Sequence, residues 1–236
     1  MKEVQISRSS IWNPLQKKLR ENIKKEEMFI DSKELLLHLH GLLHQKEVYQ
    51  SKEDTFLDQL YQITDNNNWA IMPGEKDVTV VWNLWHITRI EDLTLNLLIK
   101  PDTQVLNENW LQKLNTSVTD TGNAMSDEEI MKLSKEINFS TLQQYRKAVG
   151  EKTRQVLSSL TYQDIFRKVN TEDIQKIIDQ GGLTSHPDSI WLADFWGRKD
   201  IAGLLLMPIT RHQIGHINDS FTIIKKVNSK NEFYMQ

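Results

Sequence analysis

The chain has 236 residues, of which 39% are hydrophobic and 26% charged, and a formal net charge of −3. That length supports one large domain or two small ones with a sizeable core, and the charge balance gives no electrostatic footprint for nucleic acid. Five prolines and nine glycines argue against a many-turned β protein or a disordered chain, and the absence of cysteine excludes disulfides, thiolate metal ligands and a catalytic thiol of the protein's own.

No apolar run reaches the roughly 18 residues of a membrane span, and the opening MKEVQISRSS lacks the apolar core of a signal peptide. A cytoplasmic protein is the expectation. Residues 1–29 read as an N-terminal arm, whose basic run of Lys17, Lys18, Arg20, Lys24 and Lys25 is interspersed with glutamates and reads as a solvated helical face.

Four long helices follow. The first is DSKELLLHLHGLLHQKEVY, with Asp31 and Glu34 at capping-box spacing. On it His38 faces solvent, His40 borders the leucine arc, and His44 lies further round, able to approach a site from the side. The second runs from about Asp77 to Lys100 and is stopped by Pro101. Its apolar positions spread around nearly the whole circumference, the pattern of a buried central helix, so Asn83, His86, Arg89, Glu91 and Asp92 each need an explanation. A polar insertion from about 102 to 139 carries short helices at Trp110 and after Ser126, the latter with a capping box to Glu129. The third helix runs from Ser140, its expected cap, to Leu160. After the Gly181-Gly182 turn, the turn at His186-Pro187 and the patch WLADFWGR, the fourth runs from about Asp200 to Val227. Pro208 is expected to kink or divide it. The fold class is all-α, a four-helix bundle with short extra helices in the connections, over residues 30–227, with 228–236 as a tail.

RHQIGHIND, residues 211–219, places His212 and His216 four apart on one helical face. Neutral imidazoles at that spacing, with a third from a neighbouring helix, make a three-histidine site with open positions. On spacing alone a pair of satisfied core histidines is the commoner case. Gln213 stands where the HExxH metalloproteases have glutamate, and no histidine has a glutamate three positions before it, as di-iron bundles require. No GxGxxG, Walker A or GxSxG motif is present.

Together, the helical pattern, WNLWHITRIED at 82–92 and HQIGH at 212–216 resemble the DinB-like superfamily of metal-binding four-helix bundles, which includes bacillithiol- and mycothiol-dependent transferases. The resemblance covers about residues 30–227. It implies a divalent metal, zinc or nickel, on His86, His212 and His216. It also implies a small-molecule thiol activated by that metal for attack on an electrophilic partner. Asp219, on the face of the histidine pair, is a candidate to orient a ligand imidazole. Arg89 and the Glu91-Asp92 pair are candidates for an anionic substrate or for structural pairing. Trp82, Trp85, Trp191 and Trp196 read as core and lid packing. A homodimer through helix faces is expected. The alternative reading is a metal-binding or interaction protein of the same fold without catalysis.

Overall fold

The computed structural model describes residues 8–234 except 67 and 76, with side chains to residue 229. It is all-helical, and among the described residues no strand forms beyond an isolated antiparallel bridge between Lys168 and Asp200. No helix among them is long and apolar enough to cross a membrane.

In chain order the helices are α1 (Arg8–Asn22), α2 (Phe29–Leu42), α3 (Lys46–Tyr49), α4 (Phe56–Ile63), α5 (Val80–Leu93), α6 (Glu108–Leu114), α7 (Asp127–Glu136), α8 (Phe139–Ser159), α9 (Thr171–Asp179), α10 (Pro187–Gly197), α11 (Ile201–Leu206) and α12 (His212–Tyr234). The expected arm therefore contains a helix, α1, which packs on α2 and α11. Residues 1–7 of that arm lie outside the described residues. The expected tail continues α12 to Tyr234.

α5 is the centre of the molecule. Every residue from Val80 to Leu93 is buried, as apolar positions around the whole circumference require. It packs against α12 on one side and α8 on another, with α7 near its start. The Thr79 side chain caps it by accepting from the Trp82 amide. Beyond Leu93 the helix widens into a π turn, Thr94–Ile99, and ends at Lys100 before Pro101.

Two expected caps are displaced. α2 starts at Phe29, so Asp31 lies inside its first turn and forms no capping box. Its acidic charge still favours the positive helix end. α8 is capped by Asn138 rather than Ser140, because the Asn138 side chain accepts from the Thr141 amide. The Ser126–Glu129 capping box is present at α7.

The fourth long segment is divided at Pro208. Proline has no N–H and its ring crowds the preceding turn; here α11 ends at Leu206, a π turn spans Met207–Arg211, and α12 begins at His212. Both histidines of the pair thus lie in the first two turns of α12, beside α5. α8 meets the turn after α2 closely at Gly150, where a Cβ would stand 2.3 Å from His44 Nδ1.

Candidate metal centre

His86 from α5 and His212 and His216 from α12 come together. His212 Nε2 lies 3.2 Å from His86 Nε2 and 3.1 Å from His216 Nε2. Zinc–nitrogen bonds of roughly 2.0–2.1 Å at tetrahedral angles set ligand nitrogens about 3.3 Å apart, so this spacing suits three imidazoles on one ion. The three ligand atoms all fall within 4.8 Å of one another.

The tautomers are dictated by the outer partners. His86 Nδ1 is 2.7 Å from the Thr121 carbonyl oxygen, which only accepts, so Nδ1 carries the hydrogen and Nε2 is bare. The His216 ring is set by a closed chain of bonds. Ser220 Oγ donates to the His216 carbonyl and accepts from Asn83 Nδ2, which leaves Asn83 Oδ1 to accept from His216 Nδ1 at 2.7 Å. His216 Nε2 is therefore bare as well. Two nitrogen lone pairs face His212 Nε2, which has at most one hydrogen to offer, while His212 Nδ1 is buried without a hydrogen-bond partner. A cation at the convergence point satisfies all three Nε2 atoms, the pattern expected of oriented metal ligands.

Burial, with the neighbouring histidines adding to it, lowers His86, His212 and His216 from 6.5 to about 3. The imidazoles are thus neutral near pH 7, the form that binds metal. The Trp82 indole stacks on His86 at 4.6 Å between centroids and 8° between planes, holding its ring angle.

The loop that receives His86 is clipped along α5 by four successive carbonyls. Arg89 Nε donates to Thr119 O, Trp85 Nε1 to Asp120 O, His86 Nδ1 to Thr121 O and Trp82 Nε1 to Gly122 O. The polar insertion thereby becomes part of the centre. Its far side rests on the Gly181-Gly182 turn, through Thr119 Oγ1 to Gly181 O and the Thr121 amide to Gly182 O.

The structure places the outer-layer candidates in different surroundings. Asp219 is exposed, and Asn83 on α5 takes the place at His216 Nδ1; sharing a helical face with a ligand does not bring a short carboxylate back to its ring. Arg89 is fully buried and bonds Asp92, Tyr145, Gln104 and the Thr119 carbonyl. That is structural pairing, with an indirect hand in holding the Thr121 loop. His44 is fully buried and belongs to another cluster, and so is His40, which is not a border residue. Of the tryptophans, Trp196 is core, whereas Trp191 is 49% exposed and packs edge-on against Phe195 of its own helix. His186 caps α10, as a turn histidine before proline suggests.

The second cluster is His40, His44 and Glu91, whose ligand atoms also lie close enough to bind an ion. Here the Nε2 atoms bond the two carboxylate oxygens, at 2.9 Å from His40 and 3.0 Å from His44. Gln213 Nε2 donates to Glu91 at 2.7 Å, Gln213 Oε1 accepts from Arg146, and the Arg146 guanidinium lies 4.0 Å from the carboxylate. Burial opposes ionisation of Glu91, but the fields and hydrogen bonds of His44 and His40 hold it well below the usual carboxylate range. Burial drives His44 down to about 3, with Glu91 opposing and Arg146 assisting. The cluster is thus a buried carboxylate bonded by both imidazoles and by Gln213, with the Arg146 guanidinium beside it. Both Nδ1 atoms lack partners, so imidazoles turned to a metal through Nε2 would each carry a buried Nδ1–H with no acceptor. The outer partners favour the triad as the candidate metal centre, since two of its three imidazoles have an Nδ1 acceptor and His212 alone does not, whereas neither imidazole of the second cluster has one.

Asn83, Thr121 and Gln213 were not legible as site residues. The one available signal was that polar groups on an all-round apolar helix require partners, which marked Asn83 without naming His216. The sequence matches no family model, and no curated protein matches it either.

Proposed function

We propose that the protein is a divalent-metal-binding protein of DinB-like type, with α2, α5, α8 and α12 as a four-helix bundle and zinc or nickel held by His86, His212 and His216. The observation that carries this reading is the convergence of three Nε2 atoms, two of them bared by fixed Nδ1–H donors. Further support comes from the packing of α5 on α8 and α12 and of α2 on α8.

The activity we propose is transfer of a low-molecular-weight thiol, of bacillithiol type, to an electrophilic substrate; this part rests on the sequence resemblance. A bound divalent cation lowers the pKa of a coordinated thiol and so supplies thiolate at neutral pH. The chain's own residues orient the imidazoles through Thr121 and Asn83 and fix His86 against Trp82. The absence of cysteine leaves the nucleophile to the cosubstrate.

The alternative reading is a metal-binding protein of the same fold without catalysis.

Metal analysis of untagged protein tests the shared premise. Stoichiometric metal that is lost in His86→Ala and His212→Ala supports it, and stoichiometric metal retained in both overturns the assignment. Conjugation of bacillithiol to monochlorobimane separates the two readings: metal-dependent turnover supports the transferase, and its absence with any small thiol supports the binding protein.

A further inference from the structure

Gln213 stands between the two histidines of α12, where an HExxH metalloprotease carries its glutamate. Consecutive residues of a helix point about 100° apart, so its side chain leaves α12 in a different direction from the imidazoles. It is fully buried, and its bonds go to α5, to α8 and to the π turn.

The amide joins two groups of opposite kind. Gln213 Nε2 donates to Glu91 Oε2 of α5 at 2.7 Å, and Gln213 Oε1 accepts from Arg146 Nη2 of α8 at 2.8 Å. A guanidinium only donates and an ionised carboxylate only accepts, so the amide has one orientation. An ionised glutamate at this position would lack the donor that Glu91 receives. The same Nε2 faces Ile209 O at 3.2 Å and Pro208 O at 3.4 Å, carbonyls of the π turn from which α12 starts. Both posts of the bridge are themselves fixed. Glu91 is bonded by His40 and His44, and Arg146 also donates to Leu43 O and Thr88 Oγ1.

His212 needs such an anchor more than the other two imidazoles do. The His86 ring is set by the Thr121 carbonyl and the His216 ring by Asn83. His212 Nδ1 is buried with no hydrogen-bond partner among the described residues. With no outer bond to turn its ring, His212 takes its direction from its backbone, which Gln213 pins one residue further on.

We propose, on the reading of the triad as a metal centre, that Gln213 is its positioning residue. By bridging Glu91 and Arg146 it fixes the rotation of α12 at which His212 Nε2 meets His86 and His216. The buried Glu91 cluster then serves as the anchor of the helix that carries two of the three imidazoles.

Three measurements on the full-length chain test this: zinc affinity by competition with a chromophoric chelator, the visible absorption band of the cobalt(II) form, and the urea midpoint of metal-free protein. Gln213→Met, similar in length and without either bond, is expected to weaken zinc binding at least about tenfold, the lower end of losses at residues that orient ligands. It is also expected to change the position and intensity of the cobalt band. Gln213→Asn, too short to span both posts, should shift both readouts in the same direction by less, and it decides the matter if Gln213→Met does not fold. Leu157→Ala is the stability control. Leu157 is fully buried in α8, about three turns from Arg146, and its loss should lower the urea midpoint while leaving zinc affinity and the cobalt band as in the parent. Variants at 213 that behave like Leu157→Ala, less stable but with parental affinity and band, overturn the positioning role. A parent that binds neither zinc nor cobalt overturns the metal reading itself, which separates the two failures.

Discussion

Asn83 shows how much one side chain decides at the candidate metal centre. Its amide is locked between Ser220 and His216, so it sets which nitrogen of His216 is bare. Asn83→Ala removes that acceptor, and outer-layer losses of this kind typically cost about 10–100-fold in metal affinity. Competition against a chromophoric zinc chelator measures it, and Asn83→Asp, which keeps an acceptor, is expected to retain most of the affinity. His44 sets a pH dependence. Its folded value, lowered by burial from 6.5 to about 3, means that between those values the unfolded chain takes up a proton which the folded chain refuses. The stability contribution is full above about pH 6.5 and is lost as pH falls toward 3. Glu91, held below 4.5, contributes stability that is full above 4.5 and is lost at lower pH. Urea midpoints should therefore fall as pH drops below about 6.5, and His44→Gln, which cannot titrate but can still donate to Glu91, should make that slope shallower, the remainder coming from His86, His212 and His216.

At the scale of elements, the loop at 119–122 and α5 behave as one unit, because four side chains of one helix bond four consecutive carbonyls. Trp82→Phe keeps the ring that stacks on His86 and removes one clip. The expected cost is about 1 kcal/mol, with faster amide hydrogen exchange in the loop. Gly122→Ala is expected to cost more. Gly122 has φ +76°, and an added Cβ would sit 2.8 Å from Trp82 Nε1, so both the backbone and the clip are strained. Urea denaturation ranks the two variants, and equal stability of Gly122→Ala and the parent would show that the loop is not held in this way. The π turn at Met207–Arg211 is the other functional joint. It aims α12 at α5 while Gln16 of α1 bonds Leu206 O and Thr210 Oγ1 there, so the arm and α12 share one anchor.

For the whole molecule, the buried polar layer runs across the helices rather than along one of them. Gln213 neighbours His212 in sequence and bonds both Glu91 of α5 and Arg146 of α8, so the second cluster lies directly behind the metal helix. A metal that binds only the folded chain stabilises it by about 2.7 kcal/mol at a free concentration one hundred times Kd. Thermal melts of metal-stripped protein titrated with zinc should rise accordingly, and His212→Ala should remove the response. Retention of the full rise in His40→Ala with loss in His212→Ala would assign the effect to the triad, whereas the reverse would assign it to the His40, His44 and Glu91 cluster.

The all-helical class, the buried centrality of α5, the break at Pro208 and the joint placement of His212 and His216 on one helical face were determined by the sequence. Apolar periodicity, proline chemistry and the helical repeat are local properties that survive without knowledge of neighbours. The convergence of His86 with that pair, the preference for Asn83 over Asp219, and the burial of His40 and His44 around Glu91 were decided only by tertiary structure. Each depends on which helices lie side by side and in what rotation. A hydrogen bond or a ligand set is satisfied within a few tenths of an ångström, a tolerance that no spacing along a single chain can specify.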